Sequence, residues 1–227
     1  MDAPVICDAC AGAQQLAAQE QERREELTGH LGKAALPAAL RAWDFGQAWD
    51  AAQAFKGGAD LDGWQKAWQE CKSWHGGRTG LLLRGPAGTG KSVLAVCTLK
   101  AWVWAKGEGA YYLPVPDWCG QVERRQSADA REWARRATEA GLAVLDDVGV
   151  ERMRAAAQRE LVRIIDRRQA DGRPTLVVTN ASDKELGQRF SRADPHGRFV
   201  DRLTGYCQPV EVPGMSFRRL KAAAGGW

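Results

Sequence analysis

A chain of 227 residues, 44% hydrophobic and 26% charged, can bury a full core, which excludes a disordered tail or a disulfide-stapled miniature and suggests one domain with an appendage. No run of about 18 apolar residues occurs and no signal-peptide core is visible, so the expectation is a cytoplasmic protein without a membrane span, its six cysteines reduced. The net charge of +4 is uneven: residues 1–50 hold four Arg/Lys against eight Asp/Glu and the rest hold 28 against 20, an acidic arm on a basic body that suits a protein partner for one and a polyanion for the other.

The arm comes first. Cys7-Asp8-Ala9-Cys10 has the C-x₂-C spacing of half a zinc site. No second half follows at finger spacing. Cys71 and His75 complete it only if the arm folds back; otherwise Cys7 and Cys10 are free thiols near a terminus. Residues 11–28, rich in Ala, Gln, Glu and Arg, predict a solvated helix that Thr28-Gly29-His30-Leu31-Gly32 breaks. Pro37 to Phe55 reads as helical or irregular and ends at Gly57-Gly58. This divides the chain into an N-terminal helical arm for partner binding at 1–58 and a core at 59–227. Leu61, Trp64, Trp68 and Cys71 then form one face of an amphipathic helix over 61–74, and its aromatics read as core packing rather than as a ligand box.

Leu81-Leu82-Leu83 predicts a buried strand, and Val93-Leu94-Ala95-Val96 suits the first turns of a helix. Between them Gly85-Pro86-Ala87-Gly88-Thr89-Gly90-Lys91-Ser92 fits the phosphate-binding pattern G-x-x-x-x-G-K-[ST], with Val93 continuing the first turn. The glycines let backbone N–H groups converge on one anion, and the helix dipole adds partial positive charge there. The pattern assigns Lys91 to the β- and γ-phosphates of ATP and the Ser92 hydroxyl to Mg²⁺.

Ala110 to Val115 predicts a second strand, with Pro114 near its end, and 117–140 a charged helical stretch. Gly141 to Leu145 is wholly apolar and ends in Asp146-Asp147, the Walker B pattern: Asp146 beside Ser92 for Mg²⁺, Asp147 for the attacking water. Residues 152–170 predict an Arg-rich helix with Leu161, Ile164 and Ile165 inward, Thr175 to Thr179 a buried strand ending at Asn180, and Val210-Glu211-Val212 a last short strand. Apolar strands alternating with helices mean an α/β fold, a parallel sheet covered by helices on both faces. Ligands then bind outside the carboxyl ends of the strands, where the P-loop, Asp146-Asp147 and Thr179-Asn180 all fall.

These elements in this order resemble the AAA+ ATPases, and more narrowly the DnaC/IstB group of helicase loaders and transposition helpers. The likeness runs from Gly80 to Arg218. It rests on the P-loop segment and Leu145-Asp146-Asp147-Val148-Gly149, then on Arg167-Arg168 with Arg173-Pro174-Thr175 and Thr179-Asn180, and finally on Arg198 to Leu203 and Ser216-Phe217-Arg218. The resemblance implies that Asn180 is sensor 1, that Arg202 is the arginine finger offered to a neighbouring protomer with Arg198 as second candidate, and that Arg218 is the sensor 2 arginine. It also implies self-association through the core, a replicative helicase and single-stranded DNA as partners, and DNA contacts in 117–140, where Arg124, Arg125, Arg131, Arg135 and Arg136 lie; should these not hold DNA, the Arg-rich 152–168 is the next place for it. Some loaders carry an N-terminal zinc module, which bears on Cys7 and Cys10. Two features depart from the pattern. Asp147 stands where Glu is common, which points to slow hydrolysis, and only 25 residues follow Arg202, too few for a full helical lid. A transposition helper on duplex DNA and an ATP-switched scaffold without turnover remain rival readings; a P-loop kinase is a weaker one, since nothing resembles an acceptor lid.

Overall fold

The computed structural model describes residues 8–54, 60–76, 79–123, 127–150, 153–191, 194, 197–214 and 216–219, with side chains in the first helix from residue 18 onward and that of residue 127 left out. Strands β1 (Gly80–Arg84), β2 (Ala110–Pro114), β3 (Leu142–Asp146), β4 (Thr175–Thr179) and β5 (Cys207–Glu211) form one sheet in the order β2-β3-β4-β1-β5, with all four pairings parallel. The last strand starts three residues before the expected Val210, because Cys207 to Glu211 runs alongside the whole of β1. Pro114 closes β2, where its missing N–H interrupts no ladder.

The apolar strands alternate between two cores. Leu81, Leu83, Tyr112, Val144, Leu176 and Val178 face one side, with α1 (Asp8–Lys33), α3 (Phe45–Ala54), α4 (Leu61–Ser73) and α5 (Lys91–Lys106) packed on them; α2 (Ala38–Arg41) links α1 to α3. Leu82, Tyr111, Leu113, Leu145 and Val177 face the other, under α6 (Val115–Glu123), α7 (Ser127–Glu139), α8 (Ala155–Ala170), α9 (Asp183–Phe190) and α10 (Arg198–Tyr206). Burial on both faces is why these strands read as unbroken apolar runs.

Three expectations need correction. The first helix does not break at Gly29 or Gly32 but runs to Lys33 and turns at Ala35, whose φ is 59°. Both glycines face open space, and the buried Leu27 and Ala34 hold the last turns onto the core, which outweighs about 1 kcal/mol per glycine of helix propensity. The charged stretch 117–140 is two helices, α6 and α7, the first starting directly from β2. The expected arm is also not set apart in its described part. Leu27, Ala34, Leu36, Ala48 and Ala52 belong to the same core as β1 and β4, while residues 18–26 stand exposed as a solvated helix should.

The amino ends of β3 and β4 are joined by a buried cation. Arg168 of α8 is fully buried and donates to the carbonyls of Ala137 (2.8 Å), Thr138 (3.1 Å), Ala140 (2.7 Å), Gly141 (3.3 Å) and Pro174 (2.5 Å), and from Nε to the Thr175 hydroxyl (2.9 Å). A planar five-donor fork thus satisfies the orphan carbonyls at the end of α7 and fastens α8 beneath the sheet. Burial lowers its pKa to about 10, so it remains a cation at neutral pH. It is therefore no DNA contact, although it lies in the Arg-rich segment. Arg168→Met should lower unfolding stability by at least about 3 kcal/mol, since several buried carbonyls lose their donors at once. The neighbouring Arg167→Met, with a side chain 68% exposed and paired to Asp171, should change it by less than about 1 kcal/mol. Urea unfolding midpoints compare the two, and equal midpoints would rule out the staple.

Candidate nucleotide-binding site

The loop after β1 curls as its glycines permit. Gly85, Gly88 and Gly90 have φ of 144°, 83° and 89°. At two of them space is as restrictive as conformation: a Cβ on Gly85 would lie 2.1 Å from the Val212 carbonyl oxygen, and one on Gly88 2.2 Å from the Ser216 hydroxyl. The chain beyond β5 therefore presses on the loop. Lys91 opens α5, and its ammonium donates back to the carbonyls of Gly85 (2.8 Å) and Pro86 (2.6 Å). Burial lowers the Lys91 pKa, while the nearby Asp147 and Asp146 carboxylates oppose that shift.

Strand order does what sequence spacing alone cannot. β4 lies between β1 and β3, so Thr179-Asn180 emerges between the P-loop and Asp146-Asp147. The Ser92 hydroxyl donates to Asp146 Oδ1 at 3.0 Å, which brings together the two residues expected to share a cation. The other oxygen, Oδ2, accepts from the Tyr112 hydroxyl of β2. Burial pushes the Asp146 pKa up and the Asp147 charge adds to it, while the Tyr112 and Ser92 hydroxyls pull it down. Burial and the same carboxylate push the Tyr112 phenol up, so it stays a donor. Asp147 is exposed and left-handed at φ 58°, a conformation aspartate tolerates better than most residues. The turn after it is tied to β4: the Val148 N–H donates to Val178 O (2.9 Å) and the Thr179 hydroxyl to Val148 O (2.7 Å). Asn180 is exposed at the strand end, and Arg84, just before the P-loop, forks onto Asp183 just beyond it. A phosphate chain in the loop would meet a lysine, a hydroxyl, two carboxylates and an amide from three strand ends.

Other expected residues lie elsewhere. Phe217 N–H donates to Gly88 O at 3.0 Å, which places the exposed Arg218 one residue from a contact with the P-loop. Arg202 is paired with Asp166 of α8, and Arg198, 65% exposed, reaches Asp194 at 3.8 Å. Arg135 lies between two carboxylates, Glu132 and Glu139, and Arg136 donates to the Lys33 carbonyl at the end of α1, so both have partners within the protein. Arg124, Arg125 and Cys7 lie outside the described residues, as does the side chain of Cys10. Cys71 is fully buried under α5 with its thiol pushed up to about 12, and His75 is exposed beyond the end of α4. Among the described residues no group of three or more His, Cys, Asp or Glu could hold a metal, and no helix is long and apolar enough to cross a membrane.

Sequence reasoning missed three residues. Tyr112 sits in an apolar strand, and only its pairing beside β3 brings it to Asp146. Trp64 carries no motif, yet its indole N–H donates to Thr89 O in the P-loop at 3.0 Å. Phe217 matters through its backbone.

The sequence profile of the IstB-like ATP-binding proteins matches residues 14–224. No curated protein matches the chain significantly. Among solved structures, the DnaC helicase loader is similar at 24% identity and a TM-score of 0.53, over 65% of this chain and 88% of that one. DnaI is similar at 17% identity and 0.57, over 70% and 93%. The replication initiator DnaA bound to AMPPCP and single-stranded DNA is similar at 18% identity and 0.50, over 65% and 44%. The sheet and P-loop arrangement is that of an AAA+ core.

Lys91→Ala removes the ammonium that lies against the loop and should raise the Kd for ATP on the order of 100-fold. Equilibrium dialysis with labelled ATP checks this, and unchanged affinity would remove the phosphate from the loop.

Proposed function

This chain belongs to the IstB-like ATP-binding proteins, and we propose that it is a helicase loader: a slow, Mg²⁺-dependent ATPase that holds a replicative helicase and single-stranded DNA and couples ATP binding and hydrolysis to loading. The observation that carries the reading is the convergence of P-loop, Asp146–Ser92 pair and Asn180 at one end of the sheet, in a fold shared with the DnaC helicase loader.

Asp146 and Ser92 offer hard oxygen donors 3.0 Å apart, which fit Mg²⁺. Bound there, the ion would neutralise charge on the β- and γ-phosphate oxygens. Asp147 would orient the water that attacks the γ-phosphorus, giving ADP and inorganic phosphate, with Asn180 beside it and Arg218 over the phosphates. Arg202 would complete the site of a neighbouring protomer. Its ion pair with Asp166 does not oppose this strongly, because a pair 41% and 38% exposed is worth under about 1 kcal/mol. The exposed stretch 18–26, with Glu20, Glu22, Glu25 and Glu26, supports the helicase contact, and the exposed Arg159, Arg163 and Arg167 of α8, the last two held only in weak surface pairs with Glu160 and Asp171, support a sequence-tolerant phosphate contact with DNA, alongside Arg124 and Arg125. Cys71, Cys97, Cys119 and Cys207 are buried and form no disulfide, in keeping with a reducing cytoplasm. The family's name favours a second reading, a transposition helper on duplex DNA. Immobilised protein with a non-hydrolysable ATP analogue should retain a replicative helicase from a mixture that also contains a transposase; retention of the transposase instead would select the second reading.

Asp147→Asn should leave ATP affinity unchanged and lower turnover at least about 100-fold. A phosphate-release assay at the wild-type rate would free Asp147 of that role.

The finger predicts complementation. Arg202→Ala and Lys91→Ala should each be inactive alone, the former while still binding ATP. Mixed, Lys91→Ala protomers lend their arginine to intact P-loops, and part of the activity should return. Assembly confirmed by sedimentation with no recovery at any ratio would leave Arg202 a surface charge.

A further inference from the structure

Two donors from outside the phosphate motif grip its carbonyls. The Trp64 indole N–H of α4 donates to Thr89 O at 3.0 Å, and the Phe217 backbone N–H donates to Gly88 O at 3.0 Å. Neither grip is loose. Trp64 and Thr89 are buried at 2% and 0% exposure, and the Phe217 ring meets Trp64 edge-on at 6.0 Å between centroids. A Cβ placed on Gly90 would lie 3.5 Å from the Phe217 ring and 3.6 Å from Trp64 Nε1, so both rings line the same outer side of the loop.

A trans peptide is planar, with its C=O and the following N–H pointing in opposite directions. Drawing the Gly88 carbonyl towards Phe217 turns the Thr89 N–H away from that side. Drawing the Thr89 carbonyl towards Trp64 does the same for the Gly90 N–H. These are N–H groups that a phosphate-binding nest must present together. We infer that Trp64 and the backbone of Phe217 are positioning groups of the phosphate loop, fixing two of its peptide planes so that consecutive N–H groups point at the bound polyphosphate before it arrives. Preorganised donors lose less ordering free energy on binding. Trp64 stacks on Trp49 of α3 at 6.3 Å, and Trp49 packs on Trp68 at 5.5 Å, so the N-terminal helices are continuous with this grip.

The inference rests on the loop taking nucleotide, and wild-type binding checks that separately. Calorimetry with ADP and with inorganic pyrophosphate gives Kd values for the wild-type protein, Trp64→Phe and Trp49→Phe. Trp64→Phe keeps an aromatic ring and loses the donor. It should weaken both ligands alike, on the order of three- to tenfold for one lost hydrogen bond. Trp49→Phe touches no loop atom and should leave both unchanged. Benzothienylalanine at position 64, which replaces N–H by sulfur at constant shape, should reproduce the loss and serves if Trp64→Phe does not fold. Unchanged Kd values overturn the proposal. Weakening of ADP but not pyrophosphate also overturns it, because Trp64 would then act on the base. An equal loss in Trp49→Phe overturns it too, as general loosening. Failure of the wild-type protein to bind either ligand would instead sink the nucleotide reading and remove the premise.

Discussion

A parallel sheet buried on both faces can place polar chemistry only at its two ends. In this protein that constraint orders everything else. Each strand interior is apolar because α1 and α3–α5 cover one face and α6–α10 the other. Side chains that must be polar are pushed to the carboxyl ends, where Ser92 meets Asp146 and where Asn180 emerges between them and the P-loop. α5 begins at Lys91, within the motif, and its first N–H groups are left without intrahelical partners.

The two ends of the sheet carry buried charges of opposite sign, and their surroundings differ in a way that separates structure from function. Arg168 at the amino end meets five carbonyls and a hydroxyl, so its donors are used up within the protein. Its job is finished when the chain folds. Asp146 at the carboxyl end meets two neutral hydroxyls and a like charge on Asp147, and burial pushes its pKa up. A desolvated carboxylate hydrogen-bonded by neutral hydroxyls, with only the nearby Lys91 ammonium against it, can still receive a cation, whereas a guanidinium whose donors are all used cannot receive an anion.

Closure of the site comes from the chain's flanks. The segment after β5 presses on Gly85 and Gly88, and α4 reaches Thr89 through Trp64, so the loop is held between elements more than 140 residues apart. Aromatic packing runs from that contact through Trp49 and Trp68 into the N-terminal helices. The region expected to be a detached arm is thus, over much of its described length, part of the wall behind the nucleotide loop. Residues 18–26 of the same helix stand exposed.

The sequence by itself determined the fold class, four of the five strands to within a residue or so, the glycine loop between β1 and α5, and the Asp146–Ser92 pairing. Those depend on local pattern: apolar runs, glycine spacing and a carboxylate at a strand end. It misplaced the end of α1, because helix propensity at Gly29 and Gly32 is a matter of about 1 kcal/mol and packing of Leu27 and Ala34 overrides it. It left Arg168 inside the Arg-rich stretch 152–168 offered to DNA, because nothing local tells a guanidinium that will be roofed by α7 from one left in water, as Arg167 beside it is. It offered Cys71 to a metal, because spacing alone does not show that the thiol points under α5. Tyr112, Trp64 and Phe217 entered the site only through tertiary structure. Their partners are 34, 25 and 129 positions away, and only strand order and helix docking bring such pairs within hydrogen-bond reach.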